Sequence, residues 1–299
     1  RGGMGSITAA LLSAARDAGV RIHLDRPVAG VVAGAGSATG LKLADGTTVD
    51  AGTVVCNANA RTLFNGLVPP GTLPQEFTDS VRRMRVESSC FKVNVACSAL
   101  PGWRAWRARG LEGQPGSVTI ADSIDELEAA FASAQAGRIA ARPYLWILAP
   151  SAFDDSVAPP GRHVLSLFGG HVPYALRDRE WDDAARDELY AAVMRQVDAH
   201  APGFSQGVLH RQVLVPPDLE RMFDLPGGHV HHGEMGIDQV FCRRPVAGCG
   251  SYRAPLGNLY LCGASTHPGG GVTGVPGYNA AHVILRDLGL TPPVPEVEG

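Results

Sequence analysis

The run Gly263 to Gly277, GASTHPGGGVTGVPG, holds the residue types best suited to touching a ligand with main chain alone, six glycines and two prolines. Glycine takes positive φ without strain and lets another molecule approach the backbone, while proline fixes a turn. Asn258 to Cys262 ahead of it alternates like a short buried strand, and Tyr278 to Leu288 behind it has the apolar spacing of a helix. Unpaired amides at the start of such a helix favour partial negative charge on a ligand. An ordinary surface loop before a C-terminal helix is the plainer reading of the same residues.

Other residues offer other chemistry. Gly263-Ala264-Ser265-Thr266-His267 after a strand has part of the pattern of a nucleophile elbow, with His267 where the second glycine belongs. A serine hydrolase using Ser265 would need a base from His163, His171, His200 or His282, none of which has a local signature. His229, His231, His232 and Glu234 form the densest polar cluster, which could ligate a transition metal or form a polar loop around a turn; no metal is assigned. Lys92 stands alone in an apolar alternating strand. The six cysteines, Cys56, Cys90, Cys97, Cys242, Cys249 and Cys262, have no C-x-x-C pair, which fits reduced thiols in a cytosolic protein and disfavours a disulfide mechanism.

A dinucleotide fingerprint G-x-G-x-x-G belongs near the start of a βαβ unit. Here the glycine-rich bend lies at the far end of the chain. Gly34, Gly36 and Gly40 have the wrong spacing and join two strand-like runs, which predicts a hairpin. The first 60 residues read as helix Ile7 to Ala18 capped by Ser6, strands Val20 to Leu24 and Val28 to Ala33, a return at Leu41 to Leu43, a turn at Asp45-Gly46 and a strand Thr53 to Cys56. Next come helix Gln75 to Met84 and strand Ser89 to Cys97. A Ser123/Glu126 capping box opens a helix to Gln135, strands Pro143 to Leu148 and His163 to Phe168 follow, and then helix Asp182 to Ala201. Strand Val208 to Val215 is broken by Pro216-Pro217, and Thr291 to Gly299 reads as a loose tail.

The 299 residues suffice for two domains, and net charge of −3 without a basic stripe excludes nucleic acid as an expected partner. Only Lys42 and Lys92 of 26 basic residues are lysine, a bias that fits a GC-rich bacterial genome. The apolar runs are too short to span a bilayer, so a soluble cytoplasmic protein is expected, or a mitochondrial one if eukaryotic. The opening Arg1-Gly2-Gly3 without an initiator methionine suggests a C-terminal fragment.

The segments GGMGSITAALLSAARDAGVRIHLDRPVAGV, TVVCNANARTLF and NLYLCGASTHPGGGVTGVPGYNAA resemble the C-terminal part of FAD-dependent phytoene-desaturase-like oxidoreductases. The resemblance implies an α/β fold: a partial FAD-binding domain, Rossmann-like and of the GR2 type, from residues 1–60 and 227–299, with a mixed-sheet α+β substrate domain inserted at 61–226. The N-terminal ADP-binding βαβ is missing on this reading, so that portion of its own chain becomes a partner. Val28 would meet the adenine, and Gly263 and Ala264 the ribityl and pyrophosphate. Gly274 and Val275, with Tyr278 beginning the helix, would serve the pyrimidine end of the isoalloxazine. Many such proteins have Gly-Asp where Gly263-Ala264 stands, so Ser265, Thr266 or a backbone group would supply the missing bond. His267 would be a polar group near the ring, and Lys92 could orient a water at flavin N5. The implied reaction is oxidation or desaturation of a small apolar substrate with hydride passing to FAD; a regulatory protein retaining the fold is the non-catalytic alternative. Oligomeric state is left open.

Overall fold

The computed structural model describes residues 1–293; most of the expected tail lies outside the described residues. In chain order the elements begin with α1 (Gly5–Asp17), the strands β1 (Val28–Gly34), β2 (Ser37–Leu43), β3 (Thr48–Asp50) and β4 (Val54–Cys56), and the short helix α2 (Ala60–Thr62). They continue with α3 (Gln75–Arg82), β5 (Cys90–Cys97), α4 (Arg104–Ala108), β6 (Val118–Ile120), α5 (Ile124–Gln135), β7 (Tyr144–Leu148) and β8 (His163–Gly170). The last are α6 (Asp183–His200), β9 (Val208–Leu214), α7 (Pro216–Phe223), β10 (Leu259–Leu261) and α8 (Val275–Asp287).

The chain forms two compact units, one of Arg1–Ile22 with Ser88–Leu219, the other of His23–Glu87 with Glu220–Gly299. In the first, five strands lie in the order β6-β7-β8-β5-β9. Every pairing is antiparallel, which corrects the expected mixed sheet. The reason is visible in β5, whose residues alternate between buried and half-buried: one face is core and the other is not, as antiparallel sheets allow and parallel ones rarely do. Phe91, Val93, Val95, Leu165 and Leu167 pack with Leu189, Val193 and Val197 of α6. The Asp182 carboxylate caps α6 by accepting from the Ala185 amide at 2.8 Å, and the Ser123 hydroxyl does the same for α5 from Glu126.

In the second unit, β1, β2 and β3 form an antiparallel meander, and β10 pairs in parallel with β4. That last pairing joins segments some 200 residues apart and fixes where the glycine bend begins. Leu63, Phe64, Val81, Met84 and Val86 share a core with Val31, Val54, Leu259 and Leu261. Residues 61–87 therefore pack with β1 to β4, and the packing boundary falls at 87/88, where the sequence placed a division at 60/61. Likewise residues 1–22 pack with the first unit.

Some local expectations change. Ser6 lies inside α1, whose N-cap is Met4, and its hydroxyl donates to the Gly3 carbonyl at 2.7 Å. Val20 to Leu24 is no strand: Val20 and Leu24 are exposed and no neighbouring strand pairs with the segment among the described residues. Pro216 ends β9 as expected and then opens α7, since proline suits the first turn of a helix.

Candidate flavin site

Asn57 follows directly on β4 and Gly263 comes two residues after β10, at the carboxyl ends of two parallel strands, where ligands bind in open α/β sheets. Between them and the start of α8 runs a groove of about 430 Å³. Its walls are Asn57, Val230, His232, Cys262 to Ala264, Gly269 to Gly274, Pro276 and Gly277.

The glycines in that wall differ in what holds them. Gly263 has φ +81°, and a Cβ there would sit 1.7 Å from Asn57 Oδ1. A Cβ on Gly270 would come within 2.0 Å of His231 Nδ1, and one on Gly269 within 2.7 Å of Met235 Cε. Packing within the protein requires the first two, and at Gly269, where the Met235 side chain could move aside, φ +104° does so. Gly274 is the N-cap of α8 at φ +72°, and a Cβ there, as at Gly277 in the first turn, would meet nothing within 4 Å. No side chain caps this helix, and Val275 N–H donates to Thr273 Oγ1 at 3.2 Å.

Beneath the bend lies a fully buried arginine. Arg244 Nε and Nη2 donate to the Ala264 carbonyl at 3.0 and 2.8 Å, and Nη1 to the carbonyls of Glu234 and Gln239 at 3.2 and 3.3 Å; Nη2 also reaches the His231 carbonyl. Burial pushes its pKa down. Ser265 is 1 % exposed; its hydroxyl accepts from the Ala60 amide at 3.1 Å and lies 3.2 Å from His232 Nδ1. Thr266, fully buried, donates to the Gly263 carbonyl at 2.9 Å. Asn59 caps α2 through Arg61 N–H and donates to the His232 carbonyl at 3.1 Å.

Of the residues singled out in sequence, the groove gathers Gly263, Ala264 and Gly274. Ser265 and Thr266 are corrected: both hydroxyls are buried and bonded within the protein, so neither is a ribityl contact, and Ser265 is no exposed nucleophile. Val275 and Tyr278 belong to α8 but are not in the groove wall; the Tyr278 ring lies against His282, centroids 4.2 Å apart and planes tilted by 38°. Val28 begins β1, paired with Leu43 and away from the groove wall. The His267 carbonyl accepts from Tyr252 Oη at 2.8 Å and its ring tilts toward Phe241, which makes it a loop anchor, outside the wall. Lys92 lies on β5 in the other unit and donates to Ser166.

His229, His231 and His232 do not assemble a metal site, and no group of three or more His, Cys, Asp or Glu converges on one among the described residues. Burial first, then neighbouring positive charge, keeps all three imidazoles neutral, His229 down to about 4. The thiols of Cys56 and Cys262 are pushed up by burial and stay protonated. Sequence reasoning missed Arg244, Asn57 and Asn59. An arginine whose partners are carbonyls leaves no spacing pattern, whereas Asn59 four residues before the apolar pair Leu63-Phe64 could have been read as a helix cap.

Comparison with known proteins now bears on this groove. Residues 1–284 match the family described as flavin containing amine oxidoreductase. The chain belongs to that family. It is 39 % identical over 295 residues to mouse pyridine nucleotide-disulfide oxidoreductase domain-containing protein 2, covering 96 % of this chain and 51 % of that protein. It is 26 % identical to the phytoene desaturase of Fusarium fujikuroi, over 97 % of this chain and 52 % of that one. To the zeta-carotene-forming phytoene desaturase of Myxococcus xanthus it is 25 % identical, over 92 % and 49 %. The resemblance to phytoene-desaturase-like flavoproteins therefore holds, for their C-terminal part. Among solved structures, an oxidoreductase from Methanosarcina mazei matches with TM-score 0.62 at 17 % identity, covering 96 % of this chain and 55 % of that chain. A putrescine oxidase variant matches with TM-score 0.56 at 14 %, over 95 % and 53 %. The chain spans about half the length of the curated relatives it matches.

The cofactor of this flavin-containing family is FAD, and the groove fits it on structural grounds. Six of its fourteen lining residues are glycines, and at Gly274 and Gly277 the space a Cβ would take is open. Among the described residues no helix is long and apolar enough to cross a membrane.

Proposed function

We propose that the protein is an FAD-dependent oxidoreductase acting on an apolar small molecule, the second unit holding the flavin and the first recognising the substrate. The observation that carries this is Gly277, where the backbone is bare toward the groove although neither its φ nor any neighbouring atom demands a glycine. The names of the two phytoene desaturases support an apolar substrate.

Gly263, Ala264, Gly274 and Gly277 would hold the cofactor by close backbone approach, with Asn57 as the side-chain polar contact. Bound there, FAD supplies the two-electron acceptor for a hydride from a substrate C–H bond. The protein's own part is electrostatic. Amides at the start of α8 favour negative charge in the groove and are fixed before any charge develops, so no reorganisation is needed. His232 in the wall stays neutral near pH 7.

The test is a titration with FAD followed by flavin fluorescence and visible absorbance. The 299-residue chain is expected to be colourless and to bind FAD weakly, and a form extended at its N-terminus to the length of the relatives is expected to be yellow. An extended form that folds and takes up no flavin refutes the proposal. Anaerobic bleaching of the yellow form by apolar C–H donors, against none by polar ones, would test the substrate class.

A further inference from the structure

Ser265 lies near the start of the glycine bend, and its hydroxyl is sealed inside the protein. The oxygen accepts from the Ala60 amide at 3.1 Å, and its other partner is His232 Nδ1 at 3.2 Å. That leaves one arrangement of protons. Were Nδ1 the protonated nitrogen, Ser265 Oγ would accept twice and its own buried proton would have no acceptor, which costs more than the bond gained. The serine therefore donates to an unprotonated Nδ1. Burial, with the charge of Arg244 next, keeps the imidazole neutral, and in a neutral ring of this kind the proton sits on Nε2.

The rest of the residue is held as firmly. His232 has φ +60°, a left-handed conformation that is unfavourable for a residue with a Cβ. Its N–H donates to the His229 carbonyl at 2.7 Å and its carbonyl accepts from Asn59 Nδ2 at 3.1 Å, so the backbone is tied on both sides. A strained residue fixed by its surroundings in this way has its ring set in place before any ligand arrives. That ring lies in the groove wall. Among the described residues no protein group bonds Nε2, nor is that atom sealed from solvent, so it opens on the groove.

We infer that His232 presents Nε2–H to the groove as a fixed donor for an acceptor atom of the bound flavin, and that Ser265 is the positioning residue that decides which nitrogen donates. This rests on the reading of the groove as the flavin site. It gives the buried serine a part in binding that it performs without touching the ligand, and it extends to a side chain the donor character that the α8 amides give the groove. A hydrogen bond to such a pre-set donor contributes roughly threefold to tenfold in affinity.

Two measurements test it. In the first, the 299-residue chain carrying isotope-labelled histidine is examined without flavin by long-range nitrogen–proton correlation NMR near neutral pH, the His232 signals being assigned by their loss in His232→Gln. An unprotonated Nδ1 and a protonated Nε2 are expected, with Ser265→Ala moving the ring to a mixture of tautomers. A wild-type ring protonated on Nδ1 overturns the proposal, as does a Ser265→Ala spectrum unchanged at His232. Should Ser265→Ala fail to fold, the wild-type tautomer and the second measurement decide.

The second titrates FAD into the N-terminally extended form. In His232→Gln the side-chain amide nitrogen falls at the place of Nε2, whereas in His232→Asn it falls at the place of Nδ1, facing Ser265. His232→Gln is expected to keep wild-type affinity within about threefold and His232→Asn to weaken it about tenfold. Asparagine tolerates positive φ better than glutamine, so backbone preference alone predicts the reverse order. Equal affinities for all three forms, or His232→Gln as weak as His232→Asn, overturn the proposal; thermal melts check the fold of each. An extended wild type that takes up no flavin refutes the functional reading itself, and the tautomer, read without flavin, tells that failure from this one.

Discussion

Gly277→Ala should stabilise the free protein and weaken its hold on FAD. Gly277 lies in the first turn of α8, its φ is outside the left-handed region, and an added Cβ would meet nothing within 4 Å. Replacing glycine by alanine at a helical position with no clash gains about 0.5–1 kcal/mol, chiefly by restricting the unfolded chain. For a unit of this size that is a rise in Tm of about 2–3 °C. The same methyl would intrude on the groove wall, and losing one close backbone approach is expected to lower FAD affinity roughly tenfold, a cost of about 1.4 kcal/mol. Thermal melts by far-UV circular dichroism measure the first effect and FAD titration of the N-terminally extended form the second. All four tryptophans lie in the first unit, so their fluorescence would miss the melt of the second. A variant less stable than wild type, or one that binds FAD equally well, would refute the inference that the glycine is there for a ligand. Gly263→Ala is the control, destabilising with or without FAD because its Cβ collides with Asn57 at positive φ.

Arg244→Met strands the carbonyls of His231, Glu234, Gln239 and Ala264 in the interior, and removing one side of such a buried charged network costs about 3–5 kcal/mol. Hydrogen exchange should show protection lost in residues 229–244 and 263–267; unchanged protection would mean water replaces the guanidinium. Ser265→Ala leaves Ala60 N–H without its acceptor and is expected to cost about 1–3 kcal/mol; esterase activity in wild type that vanishes in this variant would contradict a purely structural serine. The His229 pKa, depressed to about 4 from 6.5, means the unfolded chain takes up a proton before the folded one. Stability should therefore be full above about pH 6.5 and fall by roughly 3 kcal/mol as pH drops to about 4, with His231 and His232 adding in the same direction. A His229→Gln variant that loses stability over that interval as steeply as wild type would show that other groups dominate.

Much of the fold was legible where a single local rule decided it. Ser123 announced its helix because capping needs only neighbouring amides, the spacing of Leu189, Val193 and Val197 announced α6, and the alternation of β5 announced a strand with one buried face. Val20 to Leu24 failed for the complementary reason: alternation describes a strand only when another strand lies beside it, and none does among the described residues. The boundary near residue 87 was invisible because it depends on which core Leu63, Phe64 and Val81 join, a choice made by contacts with Val31 and Val54. The site followed the same division. Glycines at 263 and 274 could be read from the chain, whereas the burial of Ser265 and Thr266 could not, since hydroxyls look alike whether they face a ligand or a neighbouring amide.

The hidden residues explain why the visible ones work. Around the bend the carbonyls are drawn inward: Ala264 and His231 onto Arg244, Gly263 onto Thr266, His267 onto the Tyr252 hydroxyl and His232 onto Asn59. A peptide whose oxygen is held on one side turns its nitrogen toward the other, because the group is planar. At Gly263 and Ala264 the acceptors are held within the protein, so the amides of Ala264 and Ser265, on the far side of the same planar peptides, point away from those partners; His267 precedes Pro268 and His232 N–H donates to the His229 carbonyl, so those two peptides add no free donor. A surface so sorted selects for electron-rich ligand edges before any side chain is consulted. On the proposed reading, the groove's hold on a flavin would rest on Arg244, Thr266, Tyr252 and Asn59, which fix the bend from within, as well as on the glycines that would touch the cofactor.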